Sequence, residues 1–172
     1  MRLTRSTFAI SLLLAFAACS QGGQEATAKG ATAKGTTGAS SSQPAVHPIS
    51  GLPVKDLTVK SANGLHTFRV EVATTFKEQE HGLMFRSEMG ADEGMIFPND
   101  PPRRAAFWMR NTVIPLDIIF IGTDHRILNI AANAVPYDET PLPSDGVTSG
   151  VLELNGGRAA QLGLKAGDKV SW

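Results

Sequence analysis

The sequence predicts a mostly β domain over residues 51–172, a jelly-roll-like sandwich or barrel of about eight short strands with two short helices. Three observations carry that expectation. Apolar and polar residues alternate over short runs, the period of a strand with one buried face. Glycine, proline and asparagine punctuate those runs at close intervals. No pattern supports a parallel βαβ sheet.

Leu52–Lys60 opens the domain as a strand. Asn63-Gly64 marks a hairpin turn, because both residues tolerate positive φ. Leu65–Ala73 follows, with Phe68, Val70 and Val72 on one face and Arg69 and Glu71 on the other. Thr75-Phe76-Lys77-Glu78 fits a capping box, and Gly82 fits the stop of a short helix. Gly94–Phe97 is a short strand closed by Pro98-Asn99-Asp100-Pro101-Pro102. Ala105–Met109 and Ile118–Ile121 are apolar strands, and the turn Gly122–His125 leads into Arg126–Ala131. Ala132–Gly146 holds Pro136, Pro141 and Pro143 and reads as a long loop, a place where function often sits. Ser149–Leu154 is the next strand, and Asn155 caps a one-turn helix ended by Gly163. Lys165–Asp168 then turns into a last strand, Lys169–Trp172.

Formal charge is zero over the 172 residues, but residues 51–172 carry 12 basic and 15 acidic side chains. A domain with that balance has no electrostatic reason to seek nucleic acid, which needs a basic face. It also lacks the lysine clusters that hold proteins on anionic membranes. The single cysteine, Cys19, precludes an intrachain disulfide and any Cys-based zinc motif, so the domain rests on its own core.

Residues 1–18 have the parts of an export signal: Arg2 and Arg5, an apolar run over Thr7–Ala17, then Ala17-Ala18 before Cys19. That run has 11 residues, and a bilayer span needs about 20. Small residues before a cysteine resemble a bacterial lipobox, although Phe16 stands where that motif usually has Leu. The resemblance implies a fatty-acylated Cys19 (diacylglyceryl, palmitate) that anchors the chain to a membrane facing the periplasm. Ser20 after it suggests the outer membrane. Ordinary cleavage with a free Cys19, or after Ala17, is the alternative. Residues 19–50 form a tether: Gly, Ala, Thr, Ser, Lys and Gln dominate, and Ala26–Gly30 repeats as Ala31–Gly35. Such a segment cannot offset its ordering entropy. Its r.m.s. span is about 30 Å and its full extension roughly 105 Å.

Several stretches stand out: Gly82–Arg86, Gly94–Phe97, Phe107–Thr112, Ile114–Phe120, Val151–Leu154 and Gly167–Val170. In this order and spacing they resemble the domain of unknown function 192 (DUF192) family, over about Leu57–Trp172. Arg110 stands where that family more often has Lys. The resemblance implies a jelly-roll-like β fold. It implies no activity, substrate or cofactor, and it does not fix a compartment.

Read physically, Asn111, Thr112 and Asp117 fall at strand ends, where side chains can converge on a pocket floored by Trp108. Arg86 and Glu153 are further candidate members. Such a site suits a sugar or another flat polar ligand, here a cell-wall or envelope component. The same residue types also bond nearby backbone in Asx and ST turns. Glu71, Asp117 and Glu153 are carboxylates on expected strands, and two facing one cleft permit acid–base chemistry on an envelope glycan. Outward solvation, or pairing with Arg69 or Arg110, is the plainer role. Met84, Met89, Met95 and Met109, with His81 nearby, offer thioethers and imidazole for Cu(I), or simply core filling. His47, His66, His81 and His125 show no metal spacing, and no nucleophile motif occurs. The expectation is therefore a binding or accessory module with no cofactor and no resident metal. A glycan-active enzyme and a copper binder are the alternatives.

Overall fold

The structure, a computed structural model, describes residues 45–172. The export signal, Cys19 and the tether up to residue 44 lie outside the described residues. Among the described residues, seven strands form one sheet: β1 (Val54–Ser61), β2 (Gly64–Val72), β3 (Glu93–Phe107), β4 (Leu116–Gly122), β5 (Ile127–Ala134), β6 (Leu142–Asn155) and β7 (Lys169–Ser171). Two short helices accompany them, α1 (Phe76–His81) and α2 (Arg158–Leu162). The sheet order is β5-β4-β6-β3-β2-β1-β7. It curls into a half-barrel, so the mostly β expectation holds in its barrel form rather than as two packed sheets. The two edges approach through the turn before β5: the Ile127 N–H donates to the Asp168 carbonyl at 2.9 Å, and the Val170 N–H to that of His125 at 2.8 Å.

Curling gives the sheet two buried faces. The inner face carries Leu57, Val59, Phe68, Val70, Ile119, Leu152 and their neighbours, with Ala159 of α2 and Leu164 joining that core. The outer face of β3, β4 and β6 carries a second core, including Met95, Phe97, Ile118, Phe120 and Val151, covered by Leu83 and Met109 from the loops. A strand that is buried on both faces loses the apolar–polar alternation that marks a half-buried one. β4 is buried throughout, from Leu116 to Gly122.

The strand boundaries differ from expectation in instructive places. Pro98–Pro102 does not end a strand. β3 runs through it, with a register shift between Pro98 and Arg103 against β6, so two expected strands are one and eight become seven. Proline is tolerated where a ladder is interrupted in this way. The expected loop Ala132–Gly146 shrinks at both ends, because β5 reaches Ala134 and β6 starts at Leu142. One parallel pair exists, contrary to expectation: β2 and β3, joined through α1.

The helix signals perform as expected at α1 and differently at α2. Thr75 Oγ1 accepts from the Glu78 N–H at 3.3 Å, and Glu78 accepts from the Thr75 N–H at 2.8 Å. The backbone N–H groups of Thr75 and Thr74, each 2.8 Å from Oε2, hold the Glu78 carboxyl below its ordinary value. Gly82 ends the helix at φ 48. α2 starts instead at Gly157, with no side-chain cap of its own. Asn155 turns away and donates to the carbonyls of Met89 and Gly90 at 3.0 and 2.9 Å.

Candidate functional site

Register puts one row of residues across the outer face: Glu71 of β2 beside Met95 of β3, Met95 beside Glu153 of β6, and Glu153 beside Ile118 of β4. Glu153 thus sits inside the second core. The sheet is tight there, since a Cβ on Gly94 would come within 2.5 Å of the Glu153 carbonyl oxygen. Burial pushes the Glu153 carboxyl up to about 8, and no hydrogen bond among the described residues offsets that desolvation. Near neutral pH it is uncharged and has a proton to donate.

Glu153 opens onto a cleft of about 440 Å³ between α1, the middle of β3 and the loop after it. Trp108, Arg110 and Thr112 line the cleft, as do Arg103 and Arg104. Trp108 is half exposed, so it forms a wall near the mouth rather than the expected floor. Thr112 is buried, and its hydroxyl donates to the Arg110 carbonyl at 3.3 Å. Asn99 also reaches the cleft, with its amide nitrogen on Thr148 Oγ1 at 2.6 Å.

The loops around the cleft are knit by backbone. Phe85, Asn111 and Tyr137 all have positive φ, at 63, 54 and 64°, a conformation that costs non-glycine residues about 1 kcal/mol or more. The Phe85 N–H donates to the Asn111 carbonyl at 2.8 Å, and the Tyr137 N–H to that of Met109 at 3.1 Å. Asn111 therefore shapes the rim through its backbone, while its side-chain amide meets Met84 Sδ at 3.8 Å.

The remaining candidates lie elsewhere. Asp117 is fully buried and faces the opposite side of the sheet from Glu153, opposite Leu154. Its Oδ1 accepts the N–H groups of Asn133 at 2.8 Å and Gly157 at 2.9 Å, and its Oδ2 that of Ala159 at 2.7 Å. It caps α2 from a distance and ties β5 to it. Arg86 pairs with Glu71, with Nη2 at 2.9 Å from Oε1. Glu71, expected to point outward, is 3% exposed. Residues 45–51 fold back over this pair: the Ser50 hydroxyl donates to Glu71 Oε2, and His47 Nδ1 lies 3.6 Å from the same oxygen. The end of the expected tether is thus seated on the domain. Glu71 lines a separate hollow there. Among the described residues, Glu71, Asp117 and Glu153 do not converge on one cleft.

Met95 and Met109 are buried in the second core, and Met89 packs against it. Met84 and His81 line the cleft. Among the described residues, no three His, Cys, Asp or Glu side chains gather as a metal site. The contributors that sequence reasoning passed over are Arg103 and Arg104, which follow the Pro98–Pro102 run. The missed signal was that a proline run can sit inside a strand, which carries the two arginines to the cleft.

The model of the DUF192 family, described as an uncharacterized conserved group, matches residues 57–172. No curated protein matches the chain. A crystal structure of a protein of unknown function from Novosphingobium aromaticivorans is 64% identical, with a TM-score of 0.74, covering 77% of this chain and 94% of that one. A second, from Sinorhizobium meliloti, is provisionally described as a transcription regulator. It is 37% identical with a TM-score of 0.68, over 70% of this chain and 94% of that one.

Proposed function

This chain belongs to the DUF192 family, and from that premise we propose that it is an exported lipoprotein whose domain binds a small polar component of the cell envelope in the Glu153 cleft. One observation carries the binding reading: the buried Glu153 carboxyl, with no hydrogen-bond partner among the described residues, lines a cleft walled by a half-exposed indole. A carboxyl with no protein partner at the wall of a partly apolar cleft is a ready ligand contact. The residues before Cys19 support the anchor, and the acidic balance of residues 51–172 speaks against a nucleic-acid ligand.

The test is a thermal-shift panel of muropeptides, neutral and acidic oligosaccharides and nucleotides against the purified chain. A ligand at 100 times its Kd adds about 2.7 kcal/mol, which raises Tm by several degrees in a domain of this size. Stabilisation by an envelope glycan that is lost in Trp108→Ala supports the reading. A panel without a glycan response removes it. The anchor is tested separately: palmitate labelling and membrane fractionation should both be lost in Cys19→Ser.

A second reading, an enzyme acting on envelope glycans, draws on the same residue, since a carboxyl protonated near neutrality suits a general acid. The one other carboxylate that lines the cleft among the described residues, Glu80, is exposed at the end of α1, and the common glycosidase mechanisms need a second carboxylate placed across the scissile bond from the first. Product release from any panel glycan, abolished by Glu153→Gln, would favour it over binding alone.

A further inference from the structure

The cleft is cationic at its mouth, in a domain whose formal balance is acidic. Arg103, Arg104 and Arg110 line it, and all three are exposed. Each ion pair found among the described residues involves other groups: His47 and Arg86 with Glu71, and Arg158 with Asp92. The three guanidiniums are therefore not neutralised by pairing. Glu80 is the one other carboxylate that lines the cleft, besides the uncharged Glu153. Arg103 is held in place, with Nη2 donating to Gln79 Oε1 at 3.1 Å. Gln79 is itself fixed by bonds from its amide nitrogen to the carbonyls of Pro98 and Ala73 at 2.9 and 3.2 Å. A guanidinium anchored in this way loses little freedom when it meets an anion.

We infer that the cleft selects a ligand bearing a carboxylate or phosphate, which Arg103, Arg104 and Arg110 hold at the mouth while the Glu153 carboxyl hydrogen-bonds the ligand's polar body within. The inference rests on the cleft being the binding site and adds the chemical class of what binds. Forked guanidiniums match both anions, and a concave, partly apolar wall focuses their field. Trp108 and Phe107 supply the flat apolar surface between the two polar ends. The acidic balance of the rest of the domain disfavours an extended polyanion and favours a small ligand with one localised charge.

The experiment is calorimetric titration of the purified full chain, at low ionic strength, with glucose, glucuronate, glucose 6-phosphate and inorganic phosphate. Glucose is the uncharged reference, and the other three separate carboxylate from phosphate and ring from anion. Either sugar acid should bind at least about tenfold tighter than glucose, and added salt should erode that margin. Arg104→Gln and Arg110→Gln should each weaken the acid severalfold and narrow its margin over glucose. Arg126→Gln, outside the cleft, controls for total charge and should change nothing. Equal affinities for glucose and its acids overturn the anion assignment and leave the cleft as a binding site. So does a margin that survives both cleft substitutions. Failure of both sugar acids to bind at millimolar concentration overturns the assignment too, and the glycan panel then decides the binding reading by itself.

Discussion

Arg86 and Glu71 form a buried ion pair on the outer face of the sheet, with one guanidinium nitrogen at 2.9 Å from Oε1 and 3.1 Å from Oε2. Removing one partner leaves the other charge buried. Arg86→Met is expected to destabilise the domain by about 3–5 kcal/mol, and Arg86→Met with Glu71→Leu to recover most of that loss. Urea denaturation of both variants measures it. A single variant within about 1 kcal/mol of the parent would show that solvent reaches the pair.

Asp117 accepts three backbone N–H groups from segments 16 to 42 residues away. Asp117→Ala leaves those donors without their acceptor and is expected to cost at least about 3 kcal/mol. Asp117→Asn keeps the shape but sets an NH2 donor against a backbone N–H, because both carboxylate oxygens accept, and should cost a comparable amount. Neither should alter ligand affinity in the fraction that folds, which titration at low temperature can check.

Glu153 makes stability depend on pH. Its folded value is about 8, above the ordinary 4.5 that the unfolded chain retains. The folded state therefore binds the proton more tightly than the unfolded state. The resulting stability is fully present below pH 4.5 and is lost as pH rises through about 8. The slope from this one group is at most about 1.4 kcal/mol per pH unit. Glu153→Gln should flatten that part of the profile and be more stable than the parent at pH 8.5. Parallel profiles for the two proteins in chemical denaturation would refute the assignment.

Trp108 is 49% exposed, so Trp108→Ala should change stability by no more than about 1 kcal/mol. Ligand stabilisation in the thermal-shift panel should nevertheless disappear. Loss of fold and of binding together would mean that the indole holds the loop instead of facing a ligand.

Much of the fold was legible in local chemistry. The hairpin before Leu65, the Thr75–Glu78 capping box and the stops at Gly82 and Gly163 appear where turn and cap residues put them. Pro98–Pro102 misled because a break in one ladder resembles the end of a strand. Glu71 and Glu153 misled for a different reason. Charged residues at alternating positions suggest a solvated face, but loops from elsewhere in the chain cover that face here. Tertiary cover of this kind leaves no local mark in sequence. Asp117 illustrates the same limit: its neighbours place it at a strand end, and only the arrival of α2 shows that its oxygens serve backbone. Arg103 and Arg104 became part of the cleft through the continuity of β3, which no adjacent residue announces.

The position of β7 has a consequence for how the chain is made. Thr58, Val59 and Lys60 of β1 pair with Ser171, Val170 and Lys169. The first strand of the domain thus waits for the last strand of the sheet in chain order before its free edge is closed. Contacts of such long sequence separation form late and slowly. Until then an unpaired strand edge stands open, the situation in which chains aggregate.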